Sequence, residues 1–147
     1  MRIPKSAKLS LWACRGIGAV LLVLVAAMPG LLRWYQTQRP LEPASAAAIL
    51  AGFYCCVPAV AAALWNLDGL MRNILKKRVL VWSNVRRISR VRWCCLAVGL
   101  VCMPAAVFYL PLVFMVVIMA FLTLVVSVLC AVMEAAVSIR EENDLTI

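Results

Sequence analysis

Histidine is absent from this 147-residue chain, and acidic residues are scarce, with six Asp and Glu against fifteen Lys and Arg. Without histidine the chain lacks the usual metal ligand and the usual general base. Its seven cysteines lie in or beside apolar runs and form no C-x-x-C pair, which is typical of small buried hydrophobic residues. No glycine-rich phosphate loop is present either. We therefore predict no catalytic residue, no metal site and no cofactor.

Carboxylates are also missing from the centres of the apolar runs. The first run carries only Arg15, near its start, and Glu134 lies a few residues before the polar C-terminal tail. Coupled transport normally uses an ionisable group near the middle of the membrane, so the sequence disfavours a proton-coupled exporter. A small transporter, or an immunity-type protein against a membrane-active peptide, stays the alternative function.

Apolar sequence is abundant: 66% of the residues are hydrophobic and the mean hydropathy is +1.00. A helix needs about 20 apolar residues to cross a bilayer, and four stretches approach or exceed this length: residues 11–32, 44–67, 93–110 and 112–137. The first is longer than the apolar region of a signal peptide, about 7–15 residues, so we expect it to be retained. The predicted fold is an all-α membrane protein with four transmembrane helices in a single domain, residues 1–147.

A basic segment, residues 68–92, separates the second and third spans and holds eight of the fifteen Lys and Arg residues. With the leader, Arg15 and the tail, its side of the membrane carries 13 basic residues, against Arg33 and Arg39 on the other. Cytoplasmic loops of membrane proteins are enriched in Lys and Arg. We therefore predict a multi-pass protein of the bacterial cytoplasmic membrane, with both termini and the basic segment in the cytoplasm.

The basic segment divides into two predicted helical parts. Leu70, Met71, Ile74 and Leu75 share one stripe, which predicts an amphipathic helix lying in the membrane interface. Ser83 is then a candidate N-cap, because its hydroxyl can accept from the first backbone N–H groups of a helix. This second helix is expected to run directly into the third span.

The second part carries a cationic flank formed by Arg86, Arg87 and Arg90. These residues are the candidate contact for a cytoplasmic partner or for anionic lipid headgroups, whose attraction is about 1 kcal/mol per Lys or Arg near the surface. A solvated flank that only sets the topology is the plainer alternative. Direct nucleic-acid binding is not expected, because the segment is too short and too near the bilayer to follow a groove.

The C-terminal tail, residues 138–147, is acidic and lies on the same predicted side as the basic segment. We expect Glu141, Glu142 and Asp144 to fold back onto the arginine flank as a latch. Exposed ion pairs are worth about 0–1 kcal/mol each and weaken in salt. An unpaired, solvated tail is the alternative.

Small residues recur every four positions in the second span, at Ala48, Gly52 and Cys56. This spacing places them on one helix face, on which a neighbouring helix can pack closely. The neighbour can belong to the same chain or to a second copy, so a homo-oligomer is left open.

Two stretches together resemble a known family: residues 81–88 (VWSNVRRI), where the chain enters the third span, and residues 141–147 (EENDLTI). With four spans in this order, nearly the whole chain resembles a family of bacterial integral membrane proteins of unknown function. Trp82 stands where we expect phenylalanine and keeps an aromatic residue at the interface. Members are commonly encoded beside a small helix-turn-helix regulator, and the resemblance implies such a regulator as a partner.

Together these features predict a non-enzymatic function. We expect a small membrane sensor or anchor, whose basic segment and acidic tail contact a cytoplasmic partner such as a transcriptional regulator.

Overall fold

The computed structural model describes residues 5–146, which form four α-helices. The helices are α1 (Lys5–Gln38), α2 (Pro43–Leu75), α3 (Trp82–Phe108) and α4 (Pro111–Leu145). Arg2 of the predicted basic leader and Ile147 of the predicted tail lie outside the described residues.

Each of the four helices is long and apolar enough to cross a membrane, judged by length and composition. The mean hydropathy of the most apolar stretch is lowest in α3, at 1.5, and highest in α4, at 3.0. Helix α2 has 33 residues and is therefore about 50 Å long at 1.5 Å per residue. This length exceeds the roughly 30 Å of a bilayer core, so the helix extends beyond its apolar stretch. The prediction of an all-helical chain with four such helices is confirmed.

The basic segment does not contain a separate interfacial helix, so that prediction is wrong. Residues 68–75 are the last turns of α2, residues 82–92 are the first turns of α3, and only residues 76–81 connect them. No proline interrupts residues 59–75, and a continuous helix keeps every backbone hydrogen bond that a break would release. The prediction that the second part continues into the third span is confirmed. That span ends at Phe108 rather than at residue 110.

Consecutive helices pack side by side, α1 on α2, α2 on α3 and α3 on α4. Among residues 5–146 no other pair of helices brings Cα atoms within 8 Å of each other, so the helices form an open row rather than a closed bundle. The small face of α2 meets α3 of the same chain. A Cβ on Gly52 would lie 3.7 Å from the Cβ of Ala105, and the sulfurs of Cys56 and Cys102 lie 3.9 Å apart.

Two long-range contacts define one end of this row. Arg15 of α1 pairs with Asp68 of α2 at 3.6 Å, and Trp82 of α3 donates to Glu141 of α4 at 2.7 Å. Four helix ends therefore meet here: the start of α1, the end of α2, the start of α3 and the end of α4. We call this end of the row the basic end, and it includes the Lys and Arg residues of the basic segment. At the opposite end, which carries Arg33 and Arg39, the Tyr35 and Tyr109 hydroxyls lie 3.3 Å apart.

Candidate functional site

A polar pocket opens between α2 and α3 at the basic end, with a volume of about 420 Å³. We call it the arginine pocket. It is lined by Trp65 and Asn66 of α2 and by Trp82, Ser83, Arg86, Arg87 and Arg90 of α3. The three arginines singled out from the sequence are thus brought together around one cavity.

The three pocket arginines have no carboxylate partner. Within the described part of the chain, no Asp or Glu oxygen lies within 4.0 Å of the guanidinium groups of Arg86, Arg87 or Arg90. Arg86 and Arg90 are four residues apart on α3, and like charges at this spacing destabilise a helix by about 0.2–0.5 kcal/mol. Each guanidinium presents five N–H donors in a planar fork that matches carboxylate and phosphate oxygens. The pocket therefore presents the kind of N–H donors to which carboxylate and phosphate oxygens bind.

Gly69 of α2 makes room for one of these arginines. The guanidinium of Arg87 occupies the space where a Cβ on residue 69 would stand. A glycine inside a helix costs about 0.5–1 kcal/mol relative to alanine, and here the missing side chain lets the Arg87 side chain cross α2. The position of Arg87 thus depends on a residue that the sequence marks only as a helical glycine.

Asn84 fixes the beginning of α3. Its side chain is fully buried, and its Nδ2 donates to the backbone oxygens of Arg78 and Val79 at 2.9 and 2.8 Å. Its Oδ1 accepts from Nδ2 of Asn73 in α2 at 2.7 Å. Buried polar groups are stable only when hydrogen-bonded, so this asparagine holds the connection and the arginine-bearing turns in one arrangement.

The end of α2 is closed by a Schellman motif. Lys77 adopts a left-handed backbone conformation with φ 59°. The N–H of Arg78 donates to the oxygen of Asn73, and the N–H of Lys77 donates to the oxygen of Ile74, both at 3.0 Å. These two hydrogen bonds satisfy carbonyl groups that a helix end otherwise leaves without a partner. The chain turns sharply here, so α3 starts beside the end of α2.

Ser83 lines the pocket and is not the N-cap of α3, contrary to prediction. The N-cap position is occupied by Val81, whose side chain cannot accept a hydrogen bond, and Trp82 is the first helical residue. The polar side chain that organises this helix start is Asn84, one residue further on. The sequence pattern located the start of α3 correctly, but it assigned the hydrogen-bonding role to Ser83 instead of to the adjacent Asn84.

The acidic tail does not fold back onto the arginines. Most of residues 138–146 continue α4 as a helix, which sets the direction of each carboxylate. Glu141 accepts from Nε1 of Trp82 at the pocket wall, 2.7 Å away, while Asp144 pairs with Arg140 at 4.0 Å. Within the described residues, Glu142 makes no ion pair and none of the three tail carboxylates pairs with an arginine of the pocket.

The tail nevertheless docks on the start of α3. Besides the bond from Trp82 to Glu141, Nη1 of Arg140 donates to the backbone oxygen of Leu80 at 3.4 Å. Beneath these contacts Val85 packs in a buried cluster with Cys130 and Val137 of α4. The tail therefore supports the wall of the pocket through an aromatic N–H and a backbone carbonyl, rather than by neutralising its charge.

Sequence reasoning missed a second charge cluster beside the pocket. Asp68 pairs with Arg72 at 2.7 Å and with Arg15 at 3.6 Å, so Arg15 has a protein partner on α2. One oxygen of Asp68 is buried and accepts no hydrogen bond. The opposite charges of Arg15 and Asp68 at neighbouring span ends were the only signal for this contact. Neither here nor in the rest of the described residues are three His, Cys, Asp or Glu side chains grouped so that they could hold a metal ion.

A family model described as a protein of unknown function (DUF2975) matches residues 32–147, which leaves most of α1 outside the match. No curated protein and no solved structure matches the chain.

Proposed function

The chain belongs to the DUF2975 family of proteins of unknown function, and from that premise we propose that it is a non-enzymatic membrane sensor or anchor. Its arginine pocket captures the acidic surface of a cytoplasmic partner. The observation that carries this proposal is the grouping of Arg86, Arg87 and Arg90 around one pocket of about 420 Å³, with no carboxylate partner among residues 5–146.

The proposed orientation rests on the separation of charge between the two ends of the row. The basic end collects the Lys and Arg residues of the basic segment, with Arg15 and Arg140, whereas the opposite end carries Arg33 and Arg39. Because Lys and Arg near membrane spans are retained on the cytoplasmic side, the proposal places the basic end and both termini in the bacterial cytoplasm.

The rim of the pocket has the composition of a protein-binding surface. Trp65 and Trp82 flank the arginines with 81% and 43% of their surfaces exposed. Tryptophan and arginine are the residues that most often dominate the energy of protein interfaces. The family resemblance implies a small helix-turn-helix regulator as the partner. A regulator with an acidic face has the negative charge that complements the arginines of this surface. An anionic lipid headgroup is the competing occupant.

Transport is supported less well than capture. The cavity that all four helices line has almost entirely apolar walls, and coupled transport of a polar substrate normally needs an ionisable group within the membrane. The charged cluster of Asp68 lies instead at the basic end, between the start of α1 and the end of α2.

The proposal is tested by crosslinking in cells of the native host, followed by purification in mild detergent and mass spectrometry. The variant Arg86→Glu/Arg87→Glu/Arg90→Glu is compared with Arg33→Glu/Arg39→Glu at the opposite end. We expect the pocket variant to lose the partner by at least about a hundredfold, because each charge-assisted hydrogen bond contributes about 1.5–3 kcal/mol. The control variant should retain it. Equal capture by both variants, or recovery of anionic lipid alone, would contradict the proposal.

Gly69→Ala provides a finer test of the same pocket. The added Cβ displaces the guanidinium of Arg87, while alanine favours the helix by about 0.5–1 kcal/mol over glycine. We therefore expect weaker capture from a protein that is at least as stable as the wild type. Weaker capture together with lower stability would point to general misfolding instead.

A further inference from the structure

A second cavity lies among the apolar parts of the helices, away from the arginine pocket. Its volume is about 290 Å³, and all four helices contribute to its wall. Leu21 and Met28 come from α1, Phe53 from α2, Val98 from α3, and Met115 and Met119 from α4. No residue of this wall carries a charge.

The cavity is elongated and open on one side. Along α2 its wall extends from Ile49 to Val60, which corresponds to a rise of about 16 Å. Helices α1 and α4 both line it, although within residues 5–146 their Cα atoms do not approach within 8 Å. No packing between α1 and α4 closes the gap that separates them, so the cavity is open on that side among the described residues. In a chain with four helices apolar enough to cross a membrane, this gap faces hydrocarbon.

The chemistry of the wall excludes a polar occupant. The sulfurs of the two cysteines in the wall, Cys56 and Cys102, lie 3.9 Å apart and contact one another. Water needs two to four polar partners to stay in a cavity, and apolar cavities remain dry. Three methionines supply flexible, polarisable side chains that adapt to the shape of an apolar ligand.

We propose that this cavity binds one hydrocarbon chain of a bilayer lipid, which enters between α1 and α4. The elongated shape fits an extended chain, the apolar wall matches its chemistry, and the open side faces the medium that supplies it. This binding site goes beyond the proposed partner capture and does not depend on it, because the two cavities share no lining residue.

The test uses the full chain in phosphatidylcholine vesicles that contain a trace of phosphatidylcholine with a diazirine in the middle of one acyl chain. After illumination, the adducts are mapped by mass spectrometry. We expect them to concentrate on cavity residues such as Phe53 and Met119, relative to outward-facing residues such as Val117 and Phe121, which are 61% and 65% exposed. A parallel sample receives the free diazirine fatty acid. Equal labelling of the cavity residues and the outward-facing residues would overturn the proposal. Labelling of the cavity by the free fatty acid but not by the phospholipid would also overturn it.

Filling the cavity tests the same point by competition. Met115→Trp adds volume to the α4 wall, whereas Val117→Trp adds it to the outer surface of the same helix. We expect Met115→Trp to lower the adducts on cavity residues by about tenfold, since the chain loses the apolar burial that holds it, and Val117→Trp to leave them unchanged. An equal reduction by both variants, or no reduction by either, would contradict binding in the cavity. The wild-type distribution of adducts decides the question if Met115→Trp fails to fold.

Discussion

At the basic end, a fully buried asparagine, a carboxylate with two arginine partners and a tryptophan–glutamate hydrogen bond connect the four helices. At the opposite end, the contact between the Tyr35 and Tyr109 hydroxyls is the side-chain hydrogen bond that joins α1 to the α3–α4 turn in the described residues. The difference indicates where the molecule requires a fixed geometry. At the basic end these contacts hold the helices together against the mutual repulsion of the Lys and Arg side chains.

Asn84→Leu should have the largest effect of the substitutions that compare the two ends. It leaves the carbonyls of Arg78 and Val79 and the amide of Asn73 without their partner, so we expect a loss of about 2–4 kcal/mol in the free energy of unfolding. Reversible unfolding in mixed micelles measures it. Ser83→Ala is the matched control and should change stability by less than about 0.5 kcal/mol. Equal effects of the two substitutions would show that the hydrogen bonds of Asn84 contribute no more to stability than the side chain of Ser83, and would contradict the role given to Asn84.

Asp68→Asn should have a smaller effect at the same end. It removes the ion pairs with Arg15 and Arg72, whose side chains are 56% and 59% exposed and therefore screened by solvent. We expect a loss of about 1 kcal/mol that decreases in high salt. Unfolding of the variant and the wild type at two salt concentrations measures this difference. A loss that is independent of salt would indicate that hydrogen bonding, rather than charge, holds α1 to α2.

Tyr109→Phe should have the smallest effect, less than about 1 kcal/mol, because it removes one hydrogen bond at the opposite end. The hydrogen bond with Tyr35 raises the pKa of Tyr109 above its ordinary value of 10.0. The folded protein therefore holds this proton more tightly than the unfolded chain. The contribution of the contact is present below pH 10 and is lost as pH rises through the raised pKa. The difference between the tyrosinate absorbance titrations of the wild type and of Tyr109→Phe gives the titration of Tyr109, and a midpoint at the ordinary pKa of 10.0 would contradict the shift.

The sequence predicted the helices better than their boundaries. Apolar content summed over about 20 residues is a local property, so the four helices of spanning length could be identified from composition. Their ends depend on hydrogen bonds and packing outside the apolar stretch. For this reason residues 70–75 and 138–145, which the sequence predicts as an interfacial helix and as a tail folded back onto the arginines, are instead continuations of α2 and α4.

The candidate site was predicted only in part. The flank of Arg86, Arg87 and Arg90 follows from helical spacing on one element, and these residues do line a common pocket. The opposite wall with Trp65 and Asn66, and the space above Gly69, require the packing of α2 against α3. Charge alone predicted that the tail carboxylates would reach these arginines, whereas the helical geometry of α4 directs Glu141 to Trp82.

The sequence by itself determined the helical class of this protein, its four helices of membrane-spanning length and the concentration of positive charge between the second and third, because each is a property of neighbouring residues. Tertiary structure alone decided that Arg15 meets Asp68, that Trp82 meets Glu141, and that Arg86, Arg87 and Arg90 surround one pocket. These contacts join side chains on different helices, and no local pattern specifies which turns of two helices lie side by side. That choice depends on how the helices pack as a whole.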